Sequence, residues 1–253
     1  MNAYEWLSDA IGTGATVVTA SRRLARELHI AFERKQQFAG RRSWLTPRIV
    51  FWSDWLAETL DNAERDSLPR LIDPASSTVL WEQCLGHTSR QELLSIAAVL
   101  RHARQAWQRM HDWQLPMEAV AASAISRDEH WFVRAASAYS DLLKADDWID
   151  HAQLAAYAAE ILDAACLAPG GRLVHAGFDR VTPAQGCLFE RLTRHGVKVA
   201  AAPRSKRSGI RRHCSYKDHD SQWRAAGDWA RQLLQQNPAA RVSVLVPDLE
   251  SDA

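Results

Sequence analysis

The strongest constraint on this sequence is an alternation of short β-strand signals with amphipathic helices. Residues 15–20 (ATVVTA) are rich in β-branched side chains and follow two glycines, which indicates a buried strand. Residues 21–38 then place apolar side chains at helical spacing, with Ser21 as the predicted N-cap. A second strand is predicted over 48–52, followed by a helix with Ser53 as its N-cap. Strands that alternate with helices favour a parallel sheet.

A long helical stretch interrupts this alternation. Residues 74–166 contain no good strand signal, and the whole stretch is typical of helices separated by proline, serine and aspartate caps, with the last helix over 150–168. The alternation returns with a strand at 172–176 and a helix that begins at Pro183 after the predicted N-cap Thr182. The remaining predicted elements are strand 197–201, helix 221–236 and strand 241–247.

These elements predict an α/β fold in which a parallel sheet receives a large all-helical insertion. The sheet domain comprises residues 1–66 and 168–214, the insertion comprises 67–167, and a second α/β segment comprises 215–253. An insertion of this length is tolerated because the entropy of loop closure grows only slowly with loop length.

The composition of the chain limits the cellular compartments and the classes of partner that we expect for it. The formal net charge is +1, so binding to nucleic acid requires local basic patches. The sequence has no apolar run long enough for a transmembrane helix, and its first residues lack the basic start of a signal peptide. Its four cysteines lie far apart, unlike those of a zinc ribbon or a disulfide framework. We therefore expect a cytoplasmic protein without a membrane partner.

The sequence lacks the signatures of several enzyme classes. It contains no GxxxxGK[ST] phosphate loop, no GxGxxG after a strand, no HExxH and no GxSxG. Its ten histidines are scattered without metal-ligand spacing. We therefore assign no catalytic residue and expect no cofactor and no metal.

Positive charge gathers in two places. Arg22, Arg23 and Arg26 lie in the first turns of a helix, where free backbone N–H groups favour an anion. The alternative is that these arginines cover the surface or pair with Glu27 and nearby acids. Segment 204–217 has no acid and directly follows a strand, so it is either a contact to phosphates or a solvated loop. Its cations are Arg204, Lys206, Arg207, Arg211, Arg212 and Lys217.

Three tryptophans near the second strand have two interpretations. Trp44, Trp52 and Trp55 are spaced to offer a stacking face for single-stranded bases. Burial of at least two of them against the sheet is the alternative, because tryptophan is chiefly a large apolar side chain.

Several segments, in chain order, resemble UvrD-type helicases and their AddB-type relatives. The strand that ends in Thr19 and its arginine-rich helix resemble the unit that follows single-stranded DNA in those proteins. Residues 47–60 resemble the next strand–helix unit, and 74–166 lie where those proteins insert a helical subdomain. Residues 173–192 resemble the Walker B region, and 221–249 resemble the opening of a second motor domain.

The chain is thus similar to the amino-terminal portion of an AddB-like "probable DNA repair protein", a family with a PD-(D/E)XK nuclease domain at its far carboxyl end. The resemblance implies a degenerate RecA-like (P-loop NTPase-like) domain, with 215–253 as the truncated start of a second one. Asp179 stands alone at the Walker B position, before Arg180. A motor needs further acids and a phosphate loop, so the resemblance implies a non-catalytic DNA-binding scaffold.

The implied ligand is single-stranded or end-containing DNA. The candidate contacts are Thr19, Ser21, Arg22, Arg23, Arg204, Lys206, Arg207, Arg211 and Arg212. Two other functions stay open. The helical block is an alternative docking module for a partner subunit or for the nuclease domain, which predicts an exposed apolar patch on it. A nucleotide sensor at the strand end that carries Asp179 is the third hypothesis.

Overall fold

The computed structural model describes residues 4–61, 68–88, 96–161, 164–203, 210 and 212–245. Internal contacts divide the chain into two compact units, residues 1–204 and 205–253. The boundary between the two units falls inside the basic segment 204–217.

A four-stranded parallel sheet organises the larger unit, in the order β2-β1-β5-β6. The strands are β1 (Thr16–Thr19), β2 (Ile49–Phe51), β5 (Arg172–Ala176) and β6 (Lys198–Ala201). In the register of the sheet, Val18 lies between Val50 of β2 and His175 of β5. The four strands predicted from the sequence in this unit therefore lie side by side, which confirms the α/β prediction.

Helices cover both faces of this sheet, and their apolar sides explain why β1 is buried along its whole length. Val17 packs with helices on one face and Val18 with helices on the other, and both side chains are fully buried. The first face is covered by α1 (Glu5–Gly12) and α2 (Arg22–Phe38). The second face is covered by α3 (Trp52–Asp61), α8 (Leu154–Ile161), α9 (Ala164–Leu167) and α10 (Pro183–Arg194). Such two-sided cover is typical of parallel sheets.

The insertion between α3 and α8 has a hydrophobic core of its own. Its elements are β3 (Arg70–Leu71), α4 (Pro74–Thr88), α5 (Ile96–Asp112), α6 (Met117–Ser123), α7 (Arg127–Ala145) and β4 (Trp148–Ile149). Stacked and edge-on rings of Trp81, Trp107 and Tyr139 form the centre of this core, with ring centroids 4.4–5.8 Å apart. The insertion is not all helical, because β3 and β4 pair in parallel. Strands of two residues are too short to leave an alternating pattern in the sequence.

The helix starts confirm most of the predicted caps. The Ser21 hydroxyl accepts a hydrogen bond from Leu24 N at the start of α2. Thr182 and Gln185 form a reciprocal capping box at the start of α10, with Pro183 in the first turn. The prediction of Ser53 as an N-cap was wrong, because α3 begins at Trp52, directly after β2, and this serine lies inside its first turn.

Within the helix predicted over 150–168, the described residues contain α8, which begins at Leu154, and α9, and residues 162–163 between them lie outside the described residues. Asp150 does not cap a helix there. It is buried, and its Oδ1 accepts a hydrogen bond from Ala152 N in the turn before α8.

The smaller unit contains one long helix, α11 (His219–Gln236), with Asp218 as its N-cap. None of the described residues of 205–253 is buried. Residues 241–245 are not in a strand, so the strand predicted over 241–247 is absent from its described part. A β-strand needs a backbone partner, and the described residues of this unit include no second strand that would supply one.

Candidate nucleic-acid interface at the carboxyl edge of the sheet

A cleft of about 380 Å³ lies at the carboxyl ends of β1, β2 and β5. The connection through α2 leaves β1 toward β2, and the connection through α10 leaves β5 toward β6. The cleft therefore lies at the switch point of the strand order, where open parallel sheets bind their ligands. Its sheet-side lining includes Ala20, Phe51, Trp52, Gly177, Phe178, Asp179, Arg180, Thr182 and Gln185.

Gly177 fixes the path of the loop that follows β5. Its φ is +77°, a conformation that favours glycine, and an added Cβ would lie 2.4 Å from Cδ2 of Leu24. Glycine thus lets the loop pass against the first turn of α2. As a result, Asp179 and Arg180 reach the cleft.

Arg180 gives the mouth of the cleft a positioned positive charge. Its guanidinium lies over the ring of Trp113, 4.6 Å from the ring centroid, and the arginine is exposed. Such a cation–π contact holds the side chain in place while it leaves the charge open to solvent.

The insertion contributes an acid to the cleft. Asp112, at the end of α5, is half-buried, and its Oδ1 accepts a hydrogen bond from Gln108 Nε2 at 3.0 Å. Burial raises the pKa of the Asp112 carboxyl, and the hydrogen bond from Gln108 opposes this shift. The other titratable groups that line the cleft are Asp179, Arg180 and His151.

At the start of α2 the predicted contact residues have different surroundings. Thr19 is fully buried, and its hydroxyl lies 3.0 Å from the carbonyl of Ser21 and 3.2 Å from that of Val50. The Ser21 hydroxyl is engaged as the N-cap. These two side chains thus shape the turn from β1 into α2.

Arg22 is paired with an acid, as one of the alternatives for this patch predicts. Its Nη2 and Nε donate to the two carboxylate oxygens of Asp54 at 2.5 and 3.0 Å, and its guanidinium lies 4.9 Å from the Phe51 ring centroid. The hydrogen bond and the charge of Asp54 raise the pKa of Arg22. Arg23 is exposed and, within the described part of the chain, has no ion-pair partner.

Four of the six cations of the predicted basic segment lie outside the described residues, namely Arg204, Lys206, Arg207 and Arg211. Arg212 and Lys217 are described in the smaller unit, where both are exposed.

The three tryptophans divide between the two interpretations. Trp55 is fully buried, and its Nε1 donates to the carbonyl of Leu167 at 2.9 Å. Trp44 is half-buried against the face covered by α1 and α2. Trp52 is also half-buried, but it lines the cleft, with its ring edge-on to that of Phe178.

Sequence reasoning missed the part of the cleft that the insertion supplies. Gln108, Asp112 and His151 are distant in sequence from the strand ends that they face. The spacing of Gln108 and Asp112, four residues apart on one helix, was the available signal of a shared polar face. Among the described residues, no cluster of three histidine, cysteine or acidic side chains has a metal-binding arrangement.

The fold and the cleft define an open parallel α/β domain with a cleft at the carboxyl edge of its sheet. No protein-family model matches the chain, and no curated protein matches it. Within its described portion, no helix combines the length and the apolar character that crossing a membrane requires.

Proposed function

We propose that this protein is a non-catalytic, helicase-like scaffold that binds single-stranded or end-containing DNA along the carboxyl edge of its sheet. The observation that carries the proposal is the cleft at the switch point, with the exposed Arg180 at its mouth. Arg23 lies in the first turn of the helix that leaves the same edge. Exposed guanidinium groups at such an edge suit phosphate oxygens.

The sheet order and the place of the insertion support a degenerate RecA-like domain of the AddB type. The chain passes from β1 to α2 through Ala20 and Ser21 alone, without glycine or lysine. A phosphate loop needs both residue types, so we do not propose ATP hydrolysis. Asp179 remains at the strand end as the residue of the nucleotide-sensor hypothesis. Calorimetry with ATP and Mg²⁺ tests that hypothesis, and absence of heat would remove it.

A docking role for the insertion has a weaker basis. Its described residues include exposed large apolar side chains, of which two lie on separate helices, α4 and α7, and three lie in the connections before and after α6. They are Val79, Trp113, Leu115, Ile125 and Leu142. The ring of Trp113 is already in contact with the guanidinium of Arg180. The DNA-binding proposal is therefore better supported than docking of a partner subunit or of a nuclease domain.

We predict salt-dependent binding of DNA that weakens when Arg23 and Arg180 are replaced together by alanine. Fluorescein-labelled oligothymidylate is titrated with the full chain at about 50 and about 200 mM salt. Loss of two phosphate contacts should lower affinity about tenfold at low salt. It should also reduce the slope of log K against log salt by about 1.4.

The matched control for this measurement is the double variant Arg134→Ala/Lys144→Ala. Both residues are exposed on α7 and neither lines the cleft, so the control removes the same charge outside the proposed site. The control should bind as the parent protein does. Absence of binding by the parent at low salt would overturn the proposed function.

We predict that Asp112→Asn strengthens DNA binding about threefold to tenfold, because it removes one negative charge close to the phosphates. Since burial raises the pKa of Asp112, binding by the parent protein should strengthen as pH falls and this carboxyl takes up a proton. The difference between parent and variant across pH isolates the contribution of Asp112. Equal affinities of parent and variant across pH would contradict a path for DNA beside this residue.

A further inference from the structure

The cleft at the sheet edge adjoins a cavity in the insertion. This second cavity, of about 410 Å³, lies beside α5 and shares Gln108 and His151 with the cleft at the sheet edge. Because the same two side chains line both cavities, the cavities are neighbours. We call this combined space the α5 groove.

One face of α5 lines the whole α5 groove. Arg101, Arg104, Gln105, Gln108 and Asp112 follow each other at the spacing of neighbours on a helix surface. From the first to the last of these residues the helix rises about 16 Å. The apolar residues Leu100, Ala103, Trp107 and Met110 of α5 are buried in the core of the insertion. Two of them, Leu100 and Trp107, also line the insertion end of the α5 groove, beside its polar residues.

The insertion end of the α5 groove is suited to anions. Arg104 is half-buried, and its Nη1 donates to Thr78 Oγ1 at 2.9 Å, which fixes the position of its guanidinium. Arg101, one turn earlier on the same face, is exposed. Both side chains offer donors, and the neighbouring Gln105 adds an amide.

Asp150 is the acid at this end of the α5 groove. Its carboxylate accepts hydrogen bonds from Tyr139 Oη, Ser77 Oγ and Ala152 N, at 2.5, 3.1 and 2.8 Å. These donors lie inside the protein, whereas Arg101 and Arg104 add two positive charges to the same lining. The balance of charge at this end is therefore positive.

We propose that a DNA strand continues from the sheet edge along the α5 groove, with its phosphates on Arg101 and Arg104. The inference depends on the proposed function and extends its site into the insertion. A groove about 16 Å long with guanidinium groups near both ends suits a linear polyanion better than a compact ligand. Arg101 and Arg104 bind the insertion end of the strand, and Arg180 binds the sheet end.

The test is a series of labelled oligothymidylates from about 4 to about 16 nucleotides, each titrated with the full chain at two salt concentrations. Affinity of the parent protein should rise with length until the α5 groove is filled. For Arg101→Ala/Arg104→Ala, affinity should stop rising at a shorter length and fall about tenfold for the longest oligonucleotide. Its salt slope there should fall by about 1.4, while the shortest oligonucleotide should bind as before.

Arg101→Glu is the second variant, because replacement of this exposed side chain removes no hydrogen bond within the described residues. Arg101→Glu should weaken the binding of long oligonucleotides at least as much as Arg101→Ala/Arg104→Ala does. Circular dichroism checks that the variant is folded. Arg134→Ala/Lys144→Ala is the charge-matched control. If no oligonucleotide binds the parent, the proposed function fails. If the parent binds and both α5 variants keep its length dependence and salt slope, the α5 groove is excluded as the path and the sheet-edge site stands.

Discussion

Replacement of Trp55 by alanine should lower the free energy of unfolding of the larger unit by about 3–5 kcal/mol. The side chain is fully buried between the sheet and its helices, so alanine leaves a large cavity. The substitution also removes the N–H group that donates a hydrogen bond to the Leu167 carbonyl, so this carbonyl is left without that partner inside the protein. The loss is a large part of the total stability of a typical domain. Urea denaturation followed by circular dichroism measures it.

Two further variants separate the contributions at this site. Trp55→Phe keeps much of the packing but leaves the Leu167 carbonyl without a donor, so we expect a loss of about 1–2 kcal/mol. Trp229→Ala is the control, because Trp229 lies in α11 and is 52% exposed. It should change stability by less than about 0.5 kcal/mol. Equal effects of Trp55→Ala and Trp229→Ala would contradict the packing described for α3.

Asp150→Ala should destabilise the larger unit by about 2–4 kcal/mol. The carboxylate is buried and accepts hydrogen bonds that join α4, α7 and the turn before α8. Its removal leaves the Tyr139 hydroxyl and the Ala152 N–H without their acceptor. Part of this cost is offset, because Ser77 Oγ and Tyr139 Oη already lie 2.8 Å apart and can bond to each other. Denaturation in urea again provides the measurement.

Tyr139→Phe removes a hydroxyl that donates a hydrogen bond to the Asp150 carboxylate in the same network. Burial, together with the charge of Asp150, raises the pKa of Tyr139, so the phenol stays protonated and donates. Loss of a hydrogen bond to a charged group should cost about 1.5–3 kcal/mol. Asp141→Ala on the exposed side of α7 should leave stability nearly unchanged. A similar loss for Asp141→Ala and Asp150→Ala would show that the buried network contributes nothing.

The sequence was sufficient for the regular elements that have strong local signals. Strand β1 combines β-branched residues with preceding glycines, and α10 begins with Thr182, Pro183 and Gln185, a complete local cap. These signals act over a few residues, so the sequence alone places them. Ser53 shows the limit, because a strand that passes directly into a helix moves the helix start ahead of the serine.

The candidate site was only partly predictable for a related reason. Arg22 and Arg23 were recognised as a basic helix start, but the partner that neutralises Arg22, Asp54, lies on another helix. Likewise, Gln108 and Asp112 become site residues through packing of the insertion beside the sheet. Contacts between residues far apart in sequence leave no periodic signal in a single chain.

Local sequence thus determined the four strands of the sheet, the main helices and the lack of a phosphate loop, because helical and strand periods and cap residues act within a few residues. The tertiary structure alone decided the strand order, the β3–β4 pair, the burial of Trp55 and the α5 groove. These features depend on which apolar faces meet and which polar groups find partners across the chain. That choice is made by the packing of the whole unit.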